Sequence, residues 1–124
     1  MPPKDQGGLP PGTITGTAGY GAGTETGITV NVGSGASVTG TGIKFGIAIG
    51  TGTVTNSGSI TGTGSYGVGA GTNATVINNV GASIKGGATG VWAAGSADVT
   101  NSGSIIGTGS YGVDADAGAK VTNN

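Results

Sequence analysis

The chain is 124 residues long and carries a net charge of −1 from four Lys, five acidic residues and no His, while 31 of its residues are Gly. So few cations exclude the clustered positive footprint that phosphate neutralisation requires, and a single Met, Phe and Trp exclude the mixed core of an ordinary globule of this length. The absence of Cys leaves no disulfide framework, no apolar run is long enough for membrane insertion, and Gly lacks the three-residue period of collagen.

All four Pro fall within the first eleven residues, which predicts a leader over 1–11 and a repeat domain over 12–124. The first apolar position of the repeat is Ile14, recurring as Val38, Ile60, Ile84 and Ile105 in steps of 24, 22, 24 and 21. The next follows a Gly, at Ala22, Ile47, Val68, Val91 and Val113, with Thr24, Ile49, Ala70, Ala93 and Ala115 two residues further on. The last is Val30, Val54, Val76, Val99 and Val121, in steps of 24, 22, 23 and 22.

Three short apolar clusters per 22 or 23 residues, separated by Gly, Asn and Ser, predict an all-β fold. The pattern is that of a parallel β-solenoid of about five coils, each with roughly three short strands. Alternation within the clusters sends every second side chain to the core and leaves Ala48, Gly69 and Asp114 outside. A helical reading fails, because the windows lack a 3.6-residue period and each interior Gly would cost a helix about 1 kcal/mol. Coils stacked about 4.8 Å apart would pile like residues into columns.

Polar and aromatic residues recur in the same frame. Asn56, Asn78, Asn101 and Asn123 stand two residues after the Val column, either as formers of left-handed turns or as a ladder of amides bonded from coil to coil. Tyr20, Phe45, Tyr66 and Tyr111 precede the Gly of the next cluster, with Thr89 in their place in one coil. Trp92 lies three positions past that phase on the outward parity, as packing or as a contact residue. Thr15 and Thr17, Thr39 and Thr41, and Thr61 and Thr63 form pairs after the Ile column; Lys85 with Gly87, and Ile106 beside Thr108, break the rank.

Motifs with chemical precedent are sparse. "GTGSYG" at 62–67 and again at 107–112 matches G-x-G-x-x-G but recurs at the repeat interval without opening a helix, so it reads as a turn. Asp5, Glu25, Asp98, Asp114 and Asp116 have no His or Cys to work with, which predicts no catalytic residue, no cofactor and no metal. Asp114 and Asp116 share one outer face, where a solvated pair or a weak Ca²⁺ site are the readings. "NAT" at 73–75 is a glycosylation sequon.

"VTNSGSI", followed by "TGTGSYGV" and a spacer back to "VTN", resembles the passenger repeats of Gram-negative autotransporters and related haemagglutinin-like adhesins, over residues 12–124. The resemblance implies a right-handed solenoid at the bacterial cell surface or outside the cell, serving as an adhesin or as its stalk. The Thr-x-Thr ranks resemble the ice-binding faces of solenoid antifreeze proteins and imply ice binding as an alternative, with a carbohydrate-binding β-helix as a second one. The repeat enters at Gly12, in the phase of Gly58, and runs out at Asn124, in the phase of Ser57. These matching phases predict either a head-to-tail polymer of copies or a longer array divided at a repeat boundary; the expected partners are a second copy or a surface ligand.

Overall fold

The computed structural model describes residues 13–16, 20–21, 27–41 and 45–124. The leader expected over 1–11, together with Thr17, Ala22 and Thr24, lies outside the described residues.

Strands numbered in chain order build three five-stranded parallel sheets, one on each side of a solenoid. The first side is β1 (Thr13–Gly16), β4 (Ser37–Gly40), β7 (Ser59–Gly62), β10 (Ser83–Gly86) and β13 (Ser104–Gly107). The second is β2 (Tyr20–Gly21), β5 (Ile47–Ile49), β8 (Tyr66–Ala70), β11 (Thr89–Ala93) and β14 (Val113–Ala115). The third is β3 (Ile28–Val32), β6 (Gly52–Asn56), β9 (Ala74–Asn78), β12 (Ser96–Asn101) and β15 (Gly118–Asn123). From β1 to β13 the chain closes four turns, and β14 and β15 continue beyond them, slightly fewer closed turns than the five coils expected.

Registers follow the side-chain pattern. Ile14, Val38, Ile60, Ile84 and Ile105 align on the first side, and Val30, Val54, Val76, Val99 and Val121 on the third. On the second side Ile47, Val68, Val91 and Val113 align. Only β2 departs: Tyr20 pairs with Ile47, two residues earlier than the repeat spacing expects. A two-residue strand containing Gly has too little alternating pattern to specify its register.

The core is thin because, among the described residues, nothing larger than Ile enters it. Ile47, Ile49, Ile60 and Ile84 are its largest fully buried side chains, and Val30, Val32, Val38, Val54, Val68, Val76 and Val91 supply most of the rest. Each such burial is worth about 1.5–3 kcal/mol. Most strands give this core one Val or Ile, β3 (Val30 and Val32) and β5 (Ile47 and Ile49) give it two, and all three sides meet in one cluster.

The corner between the third and first sides alternates in form. After Val32 and after Asn78 it is long: a turn with Ala36 N–H donating to Gly33 O at 3.0 Å, and Ala82 N–H donating to Asn79 O at 3.0 Å. The third residues of these turns, Gly35 and Gly81, have φ of 79° and 80°, the left-handed value that a type II turn demands there. After Asn56 and Asn101 the corner is two residues shorter and tucks against the long corner of the preceding coil. A Cβ on Gly58 would overlap the carbonyl of Ala36, and one on Gly103 the carbonyl of Ala82. The structural unit is therefore a pair of coils, which is why "VTNSGSI" at Val54 and at Val99 recurs at 45 residues.

Inside this corner the Asn side chains form a continuous ladder. Asn56 Nδ2 donates to Asn78 Oδ1, Asn78 Nδ2 to Asn101 Oδ1, and Asn101 Nδ2 to Asn123 Oδ1, each at 2.8 Å. The same amides bond the corner backbone: Asn56 Nδ2 reaches Ser83 O at 2.9 Å, Asn78 Nδ2 reaches Ser104 O at 3.0 Å, and Gly58 N–H donates back to Asn56 Oδ1 at 3.1 Å. No buried side-chain N or O among the described residues is left without a partner. Because Asn56, Asn78 and Asn101 are 0–9% exposed, any of these three amides that loses its partner loses it without water to compensate. Asn78→Ala, which breaks two rungs, is expected to lower the unfolding free energy by about 1–3 kcal/mol in urea denaturation, while Thr75→Ala on the outer surface shifts it by less than about 0.5 kcal/mol.

Candidate functional site

With the interior occupied by packing and amide bonding, any site must lie on the outer faces. No group of three or more His, Cys, Asp or Glu that could hold a metal occurs among the described residues. Asp114 is half-buried on β14 and Asp116 is exposed just beyond it. The two G-x-G-x-x-G segments lie where the first side turns into the second, with a strand rather than a helix after each.

The Thr pairs expected after the Ile column divide between two environments. Thr15, Thr39 and Thr61 align in register across β1, β4 and β7, and Lys85 and Ile106 continue that file on β10 and β13. Thr17 lies outside the described residues, and Thr41 and Thr63, the second members of the other two pairs, lie past a Gly at the strand end. There Thr63 donates its hydroxyl to Gly40 O at 3.2 Å, and Thr108 donates its own to Gly87 O at 2.9 Å. These hydroxyls are thus spent on the backbone of the preceding coil. The gap at Gly87 has a steric cause: the turn from Gly86 to Thr89 is one residue shorter than that from Gly62 to Tyr66, and a Cβ on Gly87 would overlap the carbonyl of Thr63.

A broader polar array stands on the third side, where the strands are longest. Residues flanking the buried Val column face outward in two files: Thr29, Thr53, Thr75, Asp98 and Lys120, and alongside them Asn31, Thr55, Ile77, Thr100 and Thr122. Sequence reasoning followed the Val column and passed over its neighbours. The signal was the alternation itself, since residues on either side of a core residue in a strand must point out.

The outer face of the second side carries the aromatic rings. Phe45 and Tyr66 lie with centroids 5.0 Å apart and planes tilted by 33°; Tyr66 and Trp92 lie 4.9 Å apart and nearly parallel, at 13°. Thr89 is aligned with Tyr66 but buried, so its coil supplies no ring at the aromatic phase. Trp92, from three residues further along the same strand, fills that slot. Its backbone partner is Gly69, and the space over Gly69 is taken by the neighbouring rings: a Cβ there would meet Phe45 Cδ2 at 3.1 Å and Tyr66 Cδ2 at 3.3 Å. The spacing of the repeat placed Trp92 outside the aromatic column because it counted positions along one strand, whereas a Trp side chain reaches across several.

Tyr66→Ala, which removes the middle ring, is expected to abolish the near-ultraviolet dichroism of the stack, to shift the emission of Trp92 to the red, and to cost about 1–3 kcal/mol for two ring pairs. Comparison of the chain with protein-family models, with curated proteins and with solved structures finds no match in any of the three.

Proposed function

We propose that this chain is a structural module, a rigid rod or stalk segment of an extracellular bacterial adhesin, whose work is to hold its ends apart. The observation that supports this most directly is the alignment of its strongest interactions along one axis. All three sheets hydrogen-bond from coil to coil, and the buried Asn ladder runs in the same direction. Such an array resists extension and bending, and it lengthens by adding coils without redesigning the core. The resemblance of the "VTNSGSI" repeats to adhesin passengers supports the same reading, as does the scarcity of titratable groups. Head-to-tail addition of copies, with strand edges as the contact, belongs to this proposal as its mode of assembly.

Because the unit is a coil pair, a copy of residues 54–98 inserted before Val99 keeps every column in phase. The insertion is expected to lengthen the particle by about 10 Å, two strand spacings, in small-angle scattering, and to leave a single cooperative unfolding transition. An unchanged length, or loss of folding, would sink the rod reading.

Ice binding is a second reading, and one observation favours it: the two outward files of the third side repeat at the strand spacing in one direction and at the two-residue strand period in the other. Ice binding predicts thermal hysteresis of the full chain, lost in a Thr53→Tyr, Thr75→Tyr double variant whose unfolding temperature is unchanged. No hysteresis in the unsubstituted chain removes this reading.

A further inference from the structure

Among the Asn residues of the chain, Asn73 alone stands two residues before a Thr or Ser, in the sequon Asn73-Ala74-Thr75. The fold puts that motif in the open: Asn73 is exposed at the corner between β8 and β9, Ala74 turns inward, and Thr75 stands in the exposed outer file of the third side. Other amides are engaged. Asn56, Asn78 and Asn101 are buried and bonded through both oxygen and nitrogen, while Asn79 and Asn124 donate Nδ2 to Ser57 and Ser102. Asn73 is held by its oxygen only: Oδ1 accepts from Ser96 N–H at 2.9 Å and from Ser96 Oγ at 3.1 Å, and Nδ2 has no partner among the described residues. Gly95 makes room for this arrangement, since a Cβ there would overlap Asn73 Oδ1.

The surface beside that amide has room for a bulky group. Ser96 and Gly118 follow Asn73 at its phase in the next two coils, so the outward side chain shrinks to a hydroxymethyl group and then to nothing. Asp98 and Lys120 stand alongside them, and an open recess of about 440 Å³ lies between these residues. We propose that Asn73 is an N-glycosylation site, its sugar attached through Nδ2 and seated along the solenoid over Ser96 and Gly118. An amide is planar, and its favoured trans form puts a substituent of the nitrogen on the same side as the oxygen. Oδ1 points to Ser96, so the anomeric carbon is directed toward the recess, where Asp98 accepts from sugar hydroxyls and Lys120 donates to them. Attachment costs the fold no hydrogen bond, because the proton that leaves Nδ2 bonds nothing among the described residues. In the transfer, Nδ2 forms a bond to the anomeric carbon of a diphosphate-activated sugar. The bond from that carbon to the phosphate oxygen breaks, the diphosphate leaves with its electron pair, and the Nδ2 proton passes to a base of the transferase. Nothing is oxidised or reduced. The Thr75 hydroxyl, two residues on and on the same outer face, is the second group of the sequon that a transferase reads.

The test produces the full chain in two hosts that activate the sugar differently. One is bacterial cytosol with a soluble sequon-specific transferase using a nucleoside-diphosphate hexose; the other is a eukaryotic secretory host, whose donor is a lipid-linked oligosaccharide. Intact-mass and peptide mass spectrometry are expected to find one sugar adduct, on Asn73, in at least one host, and the host that gives it identifies the donor. Thr75→Ala loses the adduct and Thr75→Ser keeps it. In the modified chain, amide hydrogen exchange at Ser96 is expected to slow by roughly threefold to tenfold, because the sugar covers that N–H, with no change at Thr55 on the same side. No adduct in either host, an adduct on another residue, an adduct that survives Thr75→Ala, or unchanged exchange at Ser96 would each overturn the proposal. None of these results bears on the length of the insertion variant, so glycosylation site and rod can fail separately.

Discussion

Each strand of this protein pairs in parallel, residue on like residue, with the strand one turn away, and that pairing sets every other distance in the molecule. It fixes the step along the axis at about 4.8 Å, within reach of an amide-to-amide hydrogen bond between side chains and of an offset aromatic contact. The Asn rungs at 2.8 Å and the ring centroids at 4.9 and 5.0 Å are two uses of that one step. It also fixes the cross-section. A core filled by one or two Val or Ile per strand is too thin for larger residues, and Gly stands where one coil's backbone passes close against the next, as at Gly58 and Gly103.

Much of this was legible in the sequence, and the reason lies in particular residues. Val30, Val54, Val76 and Val99 fall in one column because each is a β-branched residue flanked by outward-facing positions, so a one-residue slip would expose it. The Asn phase was legible for the same reason. The alternation of long and short corners was visible only as a 45-residue offset; its cause, the nesting of Gly58 under Ala36 and of Gly103 under Ala82, is a contact between coils that no local pattern encodes. The move of Trp92 into the slot left by Thr89 was hidden because column counting assigns each side chain to the space above its own Cα. In β2, where Tyr20 meets Ile47, the pattern was too short to decide anything.

Inside and outside follow different rules of variation along the chain. Inward positions repeat nearly the same chemistry in each coil, Ile or Val on two sides and Val with Asn on the third. Outward positions in register with one another drift freely: Thr39, Thr61, Lys85 and Ile106 on the first side, Ala48, Gly69, Trp92 and Asp114 on the second, Thr53, Thr75, Asp98 and Lys120 on the third. Stacking tolerates that drift because an outward side chain adds nothing to the core and little to the backbone pairing. A solenoid of this kind separates the problem of standing up from the problem of what to touch, and its three faces can be altered one at a time.

The amide ladder also has a sense. Every rung donates through Nδ2 toward the following coil and accepts through Oδ1 from the preceding one, and on β3 the phase is held by Val32, so the series opens at Asn56. Each rung thus asks for an oxygen on one side and an N–H on the other, whereas at β3 the same phase presents an alkyl group that asks for neither. The ladder is therefore directional: along the solenoid each rung tells the coil before it from the coil after it, and the stack carries an arrow.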